Sequence, residues 1–233
     1  MVWMSILSLA TAVLFWREFS LGTRSLEELS VHRLNIVEAD GKPRLIISDA
    51  AHSPGAIYGG KEYRHPDRES GKVGSGGMLF YNDGGDEVGA MMFAAGLKDG
   101  KQYAASHLLF DQYHQDESLQ LGYETWNGVH DAGLRVWDQP NTSIMPLIEQ
   151  GDRAARASTK GERDSILQQM AEEGKDPRRY AERFYAGKRS GDSIVSLADQ
   201  DGKPRLVLKV SAEGKPSVVF LDTAGKAIKT IVP

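Results

Sequence analysis

The six residues "DGKPRL" stand at 40–45 within "HRLNIVEADGKPRLIIS" (32–48) and again at 201–206 within "SIVSLADQDGKPRLVLKV" (193–210). On both sides of each copy, apolar and polar residues alternate with the period of two that sends successive side chains to opposite faces of a strand. Leu34 and Ile36 point one way before the first turn, and Leu45 and Ile47 resume the pattern after it. After the second turn Leu206, Leu208 and Val210 alternate with Arg205 and Lys209. Asp-Gly supplies the positive φ that a tight reversal needs. Pro43 lacks an amide hydrogen and suits the first residue of a strand or an edge. The repeat therefore reads as a turn used twice and not as a recognition motif.

The same punctuation recurs in "NDGGDE" (82–87), "KDGK" (98–101), "AEGK" (212–215) and "TAGK" (223–226), each between short apolar runs. The spacing is too uneven for a strict solenoid. It predicts a mainly β protein: a meander of short hairpins, in sheet or barrel form, closed side to side or by oligomerisation so that no long edge is left open. The stretch 144–189 is different, rich in Ala, Arg, Glu and Gln and poor in β-branched residues, and is expected to be a helical insertion. Within it Ile166, Leu167, Met170 and Ala171 recur at helical spacing, and Gly174 stops the run. Asp176-Pro177 then offers an N-cap and N1 proline for a further helix, with Tyr180 and Phe184 one turn apart on its buried face and Gly187 at its end.

The chain opens with "MVWMSILSLATAVLFW" (1–16), closed by Arg17 and Glu18, with no polar face of the kind a surface helix carries. Trp3 and Trp16 suit the two interfacial positions of a membrane anchor. Ala10-Thr11-Ala12 has the form of a signal-peptidase site, but apolar Val13–Trp16 follows it and no basic residue precedes it. An uncleaved signal anchor, inserted through residues 2–16, is the expectation, with the remainder in the periplasm or at the cell surface. The expected order is an anchor (1–20), an N-terminal β region (30–143), a helical segment (144–189) and a C-terminal β-hairpin unit (190–233).

Composition narrows the function. A formal net charge of −4, from 28 basic and 32 acidic residues among 233, provides no field to hold a polyanion, which disfavours dedicated nucleic-acid binding. The absence of cysteine removes disulfides, thiolate metal sites and thiol nucleophiles together. The chain carries no P-loop, Rossmann fingerprint, G-x-S-x-G elbow or H-E-x-x-H, so no cofactor is indicated.

"FYNDGGDEVGAMMF" (80–93), "FDQYHQD" (110–116), "LRVWDQP" (134–140) and "DGKPRLVLKVSAEGKPSVVFLD" (201–222) together resemble a group of bacterial membrane-anchored proteins built from hydrophobic–turn–hydrophobic repeats. The resemblance covers most of the chain beyond the anchor and implies an exported, anchored, β-rich protein. It brings no activity, substrate or catalytic residue. Similar chains often carry a cysteine two residues beyond "GDE", where Val88-Gly89 stands here, which removes any thiol-dependent role.

Candidate chemistry rests on a few clusters. His107, Asp111, His114 and Asp116 lie close together in "HLLFDQYHQDE", and a strand would place His107 and Asp111 on one face, as ligands for zinc or iron or as an acid–base pair. Asp199 and Asp201 open like a calcium loop, but Lys203 and Val210 stand where further ligands belong. Asn82, Asp83, Asp86 and Glu87 offer oxygens of the same kind. His130-Asp131 reads as the solvated flank of an Asn127-Gly128 turn. Arg178, Arg179, Arg183, Lys188 and Arg189, interleaved with Tyr180 and Tyr185, read as a solvated helix face or a site for an anionic partner. Two functions follow from these readings: a non-enzymatic envelope module that binds a protein or glycan or assembles with itself, and an extracytoplasmic hydrolase or lyase using Asp86, Glu87, Asp111 and Asp116.

Overall fold

In the computed structural model, which describes residues 26–64, 76–173 and 180–233, the two DGKPRL copies form one and the same turn. The Gly41 amide donates to Glu38 O (2.9 Å) and Glu38 N to Lys42 O (2.8 Å); Gly202 N donates to Asp199 O (2.9 Å) and Asp199 N to Lys203 O (3.0 Å). Both glycines occupy the left-handed region, at φ +86° and +73°. The pairing slips by one residue at each turn, between Ile36 and Val37 and between Leu197 and Ala198, which is the bulge such a turn carries. The turns at 82–86, 211–215 and 222–226 repeat this hydrogen-bond pattern. A second kind, at Asp99-Gly100, Asn127-Gly128 and Ser190-Gly191, has both central residues at positive φ, the two-residue reversal whose twist matches that of its strands.

The two copies differ in their surroundings, and a test follows. A Cβ added at Gly41 meets nothing within 4 Å, whereas one at Gly202 comes within 3.1 Å of Ala181 Cα and 3.2 Å of Glu182 N. Gly41→Ala is expected to lose about 1 kcal/mol through backbone strain alone, and Gly202→Ala about 2 kcal/mol. Urea melts of the two variants check this. Equal losses would show that the second turn does not press on the strand beside it.

The strands follow in chain order as β1 (Arg33–Val37), β2 (Pro43–Ser48), β3 (Ala56–Tyr58), β4 (Lys61–Tyr63), β5 (Gly77–Tyr81), β6 (Glu87–Lys98), β7 (Lys101–Asp111), β8 (Glu117–Trp126) and β9 (Val129–Asp138). Helices α1 (Met145–Arg156) and α2 (Lys160–Glu173) come next, and β10 (Ala181–Arg189), β11 (Asp192–Ala198), β12 (Pro204–Val210), β13 (Pro216–Leu221) and β14 (Ala227–Ile231) complete the chain. Twelve strands form one antiparallel meander, β1-β2-β5-β6-β7-β8-β9-β10-β11-β12-β13-β14, and β3 and β4 pair separately as a small hairpin. The sheet is open: β1 and β14 are its edges, and the barrel alternative is not formed among the described residues. The β regions before and after the helices belong to this one sheet.

The helical expectation holds for 145–173 and fails after it. Residues 181–189 form β10, hydrogen-bonded along both sides to β9 and β11, and Tyr180 stands in a turn at φ +56°. Helical propensity there is overridden because a strand at this position fills the gap between β9 and β11 and pairs on both edges. Tyr180, in the turn, and Phe184, on β10, therefore do not share the buried face of a helix. Gly174, Asp176 and Pro177, and the anchor residues 1–20, lie outside the described residues.

Directly paired residues share a face, so the register assigns the side chains that it pairs. One face, here the outer face, carries two apolar ladders across the whole sheet. The first runs through Ile36, Leu45, Phe80, Phe110, Phe184 and Phe220, and the second through Leu34, Ile47, Leu108, Leu121, Leu208 and Ile231. Phe110 is 49% exposed and Leu121 54%. The opposite, inner face carries Ile46, Ala90, Gln120, Tyr185 and Ser196, all buried, together with most of the charged residues of the strands. The alternation expected for Leu34, Ile36, Leu45 and Ile47 is present, but Ile46 between them is the buried residue.

Over β5–β8 the inner face is covered by the β3–β4 hairpin and the helices. Ile46, Ile57 and Tyr81 form the core, with Leu79 packed against them. The entry to α1 is pinned to the β7–β8 turn: Ile144 N donates to His114 O (2.9 Å), and the Gln115 side-chain amide donates to Thr142 O. Asp152 of α1 accepts from Arg64 N (2.8 Å), which ties the helix to the end of β4. Further along, the Tyr185 ring is fully buried between Gly133 beneath it and the Arg189 guanidinium 3.9 Å above it.

Candidate functional site

The "FDQYHQDE" segment builds the site. Between Phe110 and Asp111 the β7–β8 register slips by one residue, so Asp111 at the end of β7 lies opposite Glu117 at the start of β8, both on the inner face. Asp116 precedes Glu117, and its carboxylate accepts the Glu117 amide (3.1 Å). The Tyr180 hydroxyl reaches across from the start of β10, donates to Asp116 Oδ2 (2.5 Å) and lies 3.3 Å from Glu117 Oε2. Its ring is held edge-on against Trp137 at 6.2 Å. Carboxylate oxygens of Asp111, Asp116 and Glu117 all lie within 4.8 Å of one another.

These three groups open into a cavity of about 520 Å³ between sheet, hairpin and α1. Glu87, Ser53, Arg64, Tyr58 and Tyr63 add to its polar wall; Leu79, Ala90, Leu109 and Leu147 supply an apolar one. Burial, reinforced by the neighbouring Asp116 charge, pushes the Asp111 carboxyl up to about 7. Burial and the hydrogen bond and charge of Asp116 also push Glu117 upward. Tyr58 and Tyr180 are raised by burial and by the surrounding carboxylates. Asp111 and Glu117 therefore hold their protons more tightly than free carboxyls, since ionisation would set like charges together in a partly dry site. The arrangement offers an acid–base group poised near neutrality and an oxygen-rich cradle of the kind a hard divalent cation accepts.

Of the residues proposed from the sequence, Asp111, Asp116 and Glu87 meet in this cavity. Asp86 does not. It accepts the Gly59 amide (2.7 Å) and the Asn82 side-chain amide (3.1 Å), and the His114 imidazole stands 3.3 Å away. Burial works against its charge, but these donors outweigh burial and lower its pKa. Asp86 thus ties the β5–β6 turn to the β3–β4 hairpin. His107 faces Glu124 (3.0 Å), and on a strand it lies about 13 Å from Asp111, which is four residues away. Asp199 accepts the amides of Asp201 and Lys203 (3.0 Å each) and pairs with Arg205, while Asp201 is exposed. His107 and His114 thus turn to Glu124 and Asp86, and Asp199 serves the second DGKPRL turn; of these metal candidates Asp111 is the one that stands in a close cluster, with Asp116 and Glu117. Asn82 and Asp83 serve their own turn, Asp83 pairing with Arg44. Arg183 pairs with Asp138 and Arg189 with Glu182, and Lys188 is exposed between them. A strand divides these cations between its faces, and Arg178 and Arg179 lie outside the described residues.

Two features escaped the sequence reading. Glu117 was adjacent to a named aspartate, but only the bulge aims it at the same cavity. His32, Asp49 and His52 come together at the β1–β2 end of the sheet, with both Nδ1 atoms 2.8 Å from the Asp49 carboxylate and the rings stacked at 4.8 Å. The His52 and His32 hydrogen bonds, against a small effect of burial, bring Asp49 down to about 2. Two imidazoles and a carboxylate suit a divalent transition metal, but no periodicity links positions 17 residues apart.

No family model, curated protein or solved structure matches the chain. Among the described residues no helix is long and apolar enough to cross a membrane.

Proposed function

We propose that this protein is a non-enzymatic binding and assembly module of the bacterial envelope, tethered through its N-terminal apolar run with the β sheet outside the cytoplasm. The observation that carries the reading is the outer face. Across its two ladders, two residues on each of twelve strands, Lys229 is the single charged side chain. A monomer in water rarely exposes more than about 600 Å² of contiguous apolar surface, and this face exceeds that, as calculated below. Such a surface requires a partner to cover it.

The cysteine-free chain makes the test direct. Asp83→Cys, whose parent side chain is 97% exposed, and Leu121→Cys on the outer face are labelled in spheroplasts with a membrane-impermeant maleimide. Asp83→Cys is expected to react readily and Leu121→Cys about tenfold more slowly, as a face covered about nine-tenths of the time requires. An unreactive Asp83→Cys would reject the extracytoplasmic placement, and equal rates would reject the covered face.

The acidic cavity supports a second reading, an extracytoplasmic hydrolase or lyase with Asp111 as acid–base group beside Asp116, Glu117 and Glu87. The close carboxylates resemble the ~5 Å pair of retaining glycosidases more than the wider inverting pair.

A further inference from the structure

We infer that the outer face is a self-association surface, on which a second copy of this chain packs sheet to sheet in a two-fold pair. The inference rests on the binding and assembly reading and names its partner. Twelve strands about 4.8 Å apart make a face about 53 Å across; two ladders with their side-chain margins span about 15 Å along the strands, for roughly 800 Å². That is the area each partner contributes to a standard stable interface, about 800 Å².

The composition of the face selects among occupants. Permanent homodimer interfaces are the most apolar and charge-depleted class, whereas transient partners meet over surfaces as polar as the rest of the molecule. The outer face belongs to the first kind. A bilayer surface is a poor fit, because anionic lipid is recognised by basic clusters, and among the described residues the paired register places two cations, Lys188 and Lys229, on the outer side of the strands, while Arg183 at the β9–β10 bulge is paired with Asp138. Sheet twist of about 20° per strand also lets a flat bilayer touch only a few strands at once, whereas a second sheet with the same twist follows it at about −30°. A small apolar ligand could occupy the concavity of about 690 Å³ near Val195, Leu208, Val218 and Ile231. It would leave the ladders over β1–β9 in water.

The ladders also carry the relief that face-to-face packing needs. Phe80, Phe110, Phe184 and Phe220 stand as large side chains along the first, with Gly89 between Phe80 and Phe110; the second narrows at Ala186 between Leu134 and Val195. Large side chains of one copy can seat in the small-residue gaps of the other, at the ~10 Å spacing of stacked sheets.

The experiment uses the full chain in its native membrane. Leu45, Phe80, Leu121, Leu134, Phe184 and Leu208 are changed singly to Cys, and each variant is treated with a bis-maleimide of about 10 Å reach, the spacing of packed sheets. At least one variant, lying near the two-fold axis, is expected to give a product of twice the chain mass, and Asp83→Cys none. Adding Leu119→Arg, on the same face, should abolish that product while the untreated protein stays at its normal level. Outer-face cysteines that resist a monofunctional maleimide yet give no doubled product, or a product of another mass, would overturn the second copy and leave the binding reading standing. Outer-face cysteines labelled as fast as Asp83→Cys would overturn both.

Discussion

Asp111→Asn is expected to raise the stability of the folded protein by about 2–4 kcal/mol at pH 8 and to leave it nearly unchanged at pH 4. Asp111 ends an apolar strand, makes no side-chain hydrogen bond among the described residues, and has its carboxyl pushed up to about 7 by burial and by Asp116. A raised acid binds its proton more tightly folded than unfolded. Its contribution is therefore fully present below the ordinary value near 3.8 and is lost as pH rises through about 7. A rise of that size corresponds at most to about 4 kcal/mol, and solvent in the cavity reduces it toward about 2. Asparagine keeps the shape without the charge, so the variant should decline less steeply than wild type as pH rises, the remaining slope coming from Glu117, whose carboxyl is also raised, chiefly by burial.

Urea melts at pH 4, 6 and 8 measure this. Wild type and variant with equal slopes against pH would show that Asp111 is not desolvated, which would also remove the basis for an acid–base role. A stabilised variant is compatible with either function. If the cavity is catalytic, the same variant loses turnover while gaining stability; if it is structural, assembly is unaffected. A gain at pH 8 that disappears when calcium or magnesium is added to both proteins would mark the cluster as a cation site, because bound cation relieves the wild-type repulsion that asparagine relieves covalently.

Tyr185→Ala is expected to destabilise by about 3–5 kcal/mol, the range for deleting a fully buried aromatic ring. Among the described residues no second layer covers β9–β11 on the inner face, so this ring and the Arg189 and Arg135 guanidiniums, 3.9 Å and 5.7 Å from its centre, form the local core. Its removal uncovers Gly133 and leaves the Arg189 guanidinium, 3.9 Å away, without the ring it stacks on. Tyr185→Phe should lose only about 1 kcal/mol, the value of the 2.6 Å hydrogen bond from the hydroxyl to Lys188 O. Thermal and urea melts of the pair separate the two contributions. A loss below about 1.5 kcal/mol for alanine would mean that the two arginines cover the strand without the ring.

Asp40-Gly41 and Asp201-Gly202 determined their own hairpins, because a residue at positive φ is a local requirement that Asp-Gly meets whatever surrounds it. The period of two likewise determined that Leu34, Ile36, Leu206 and Leu208 lie on one side of their strands. Alternation defines two faces but does not say which is covered. Tertiary structure decided that the β3–β4 hairpin and α1 lie over Ile46 and Ala90, on the face that also carries the ion pairs, and that the leucine and phenylalanine ladders are left for another surface. Segment 181–189 reads as helix in the sequence because propensity is summed along the chain, whereas two flanking strands with open hydrogen-bonding edges are a property of the whole sheet. The acidic cavity divides in the same way. Asp111 and Asp116 were legible as neighbours, but Glu117 and Tyr180 joined them only through a one-residue bulge and a contact across 64 residues of chain. Local conformation is set by nearby atoms and can be read in order, whereas burial and proximity depend on which distant segments pair, and only the folded sheet decides that.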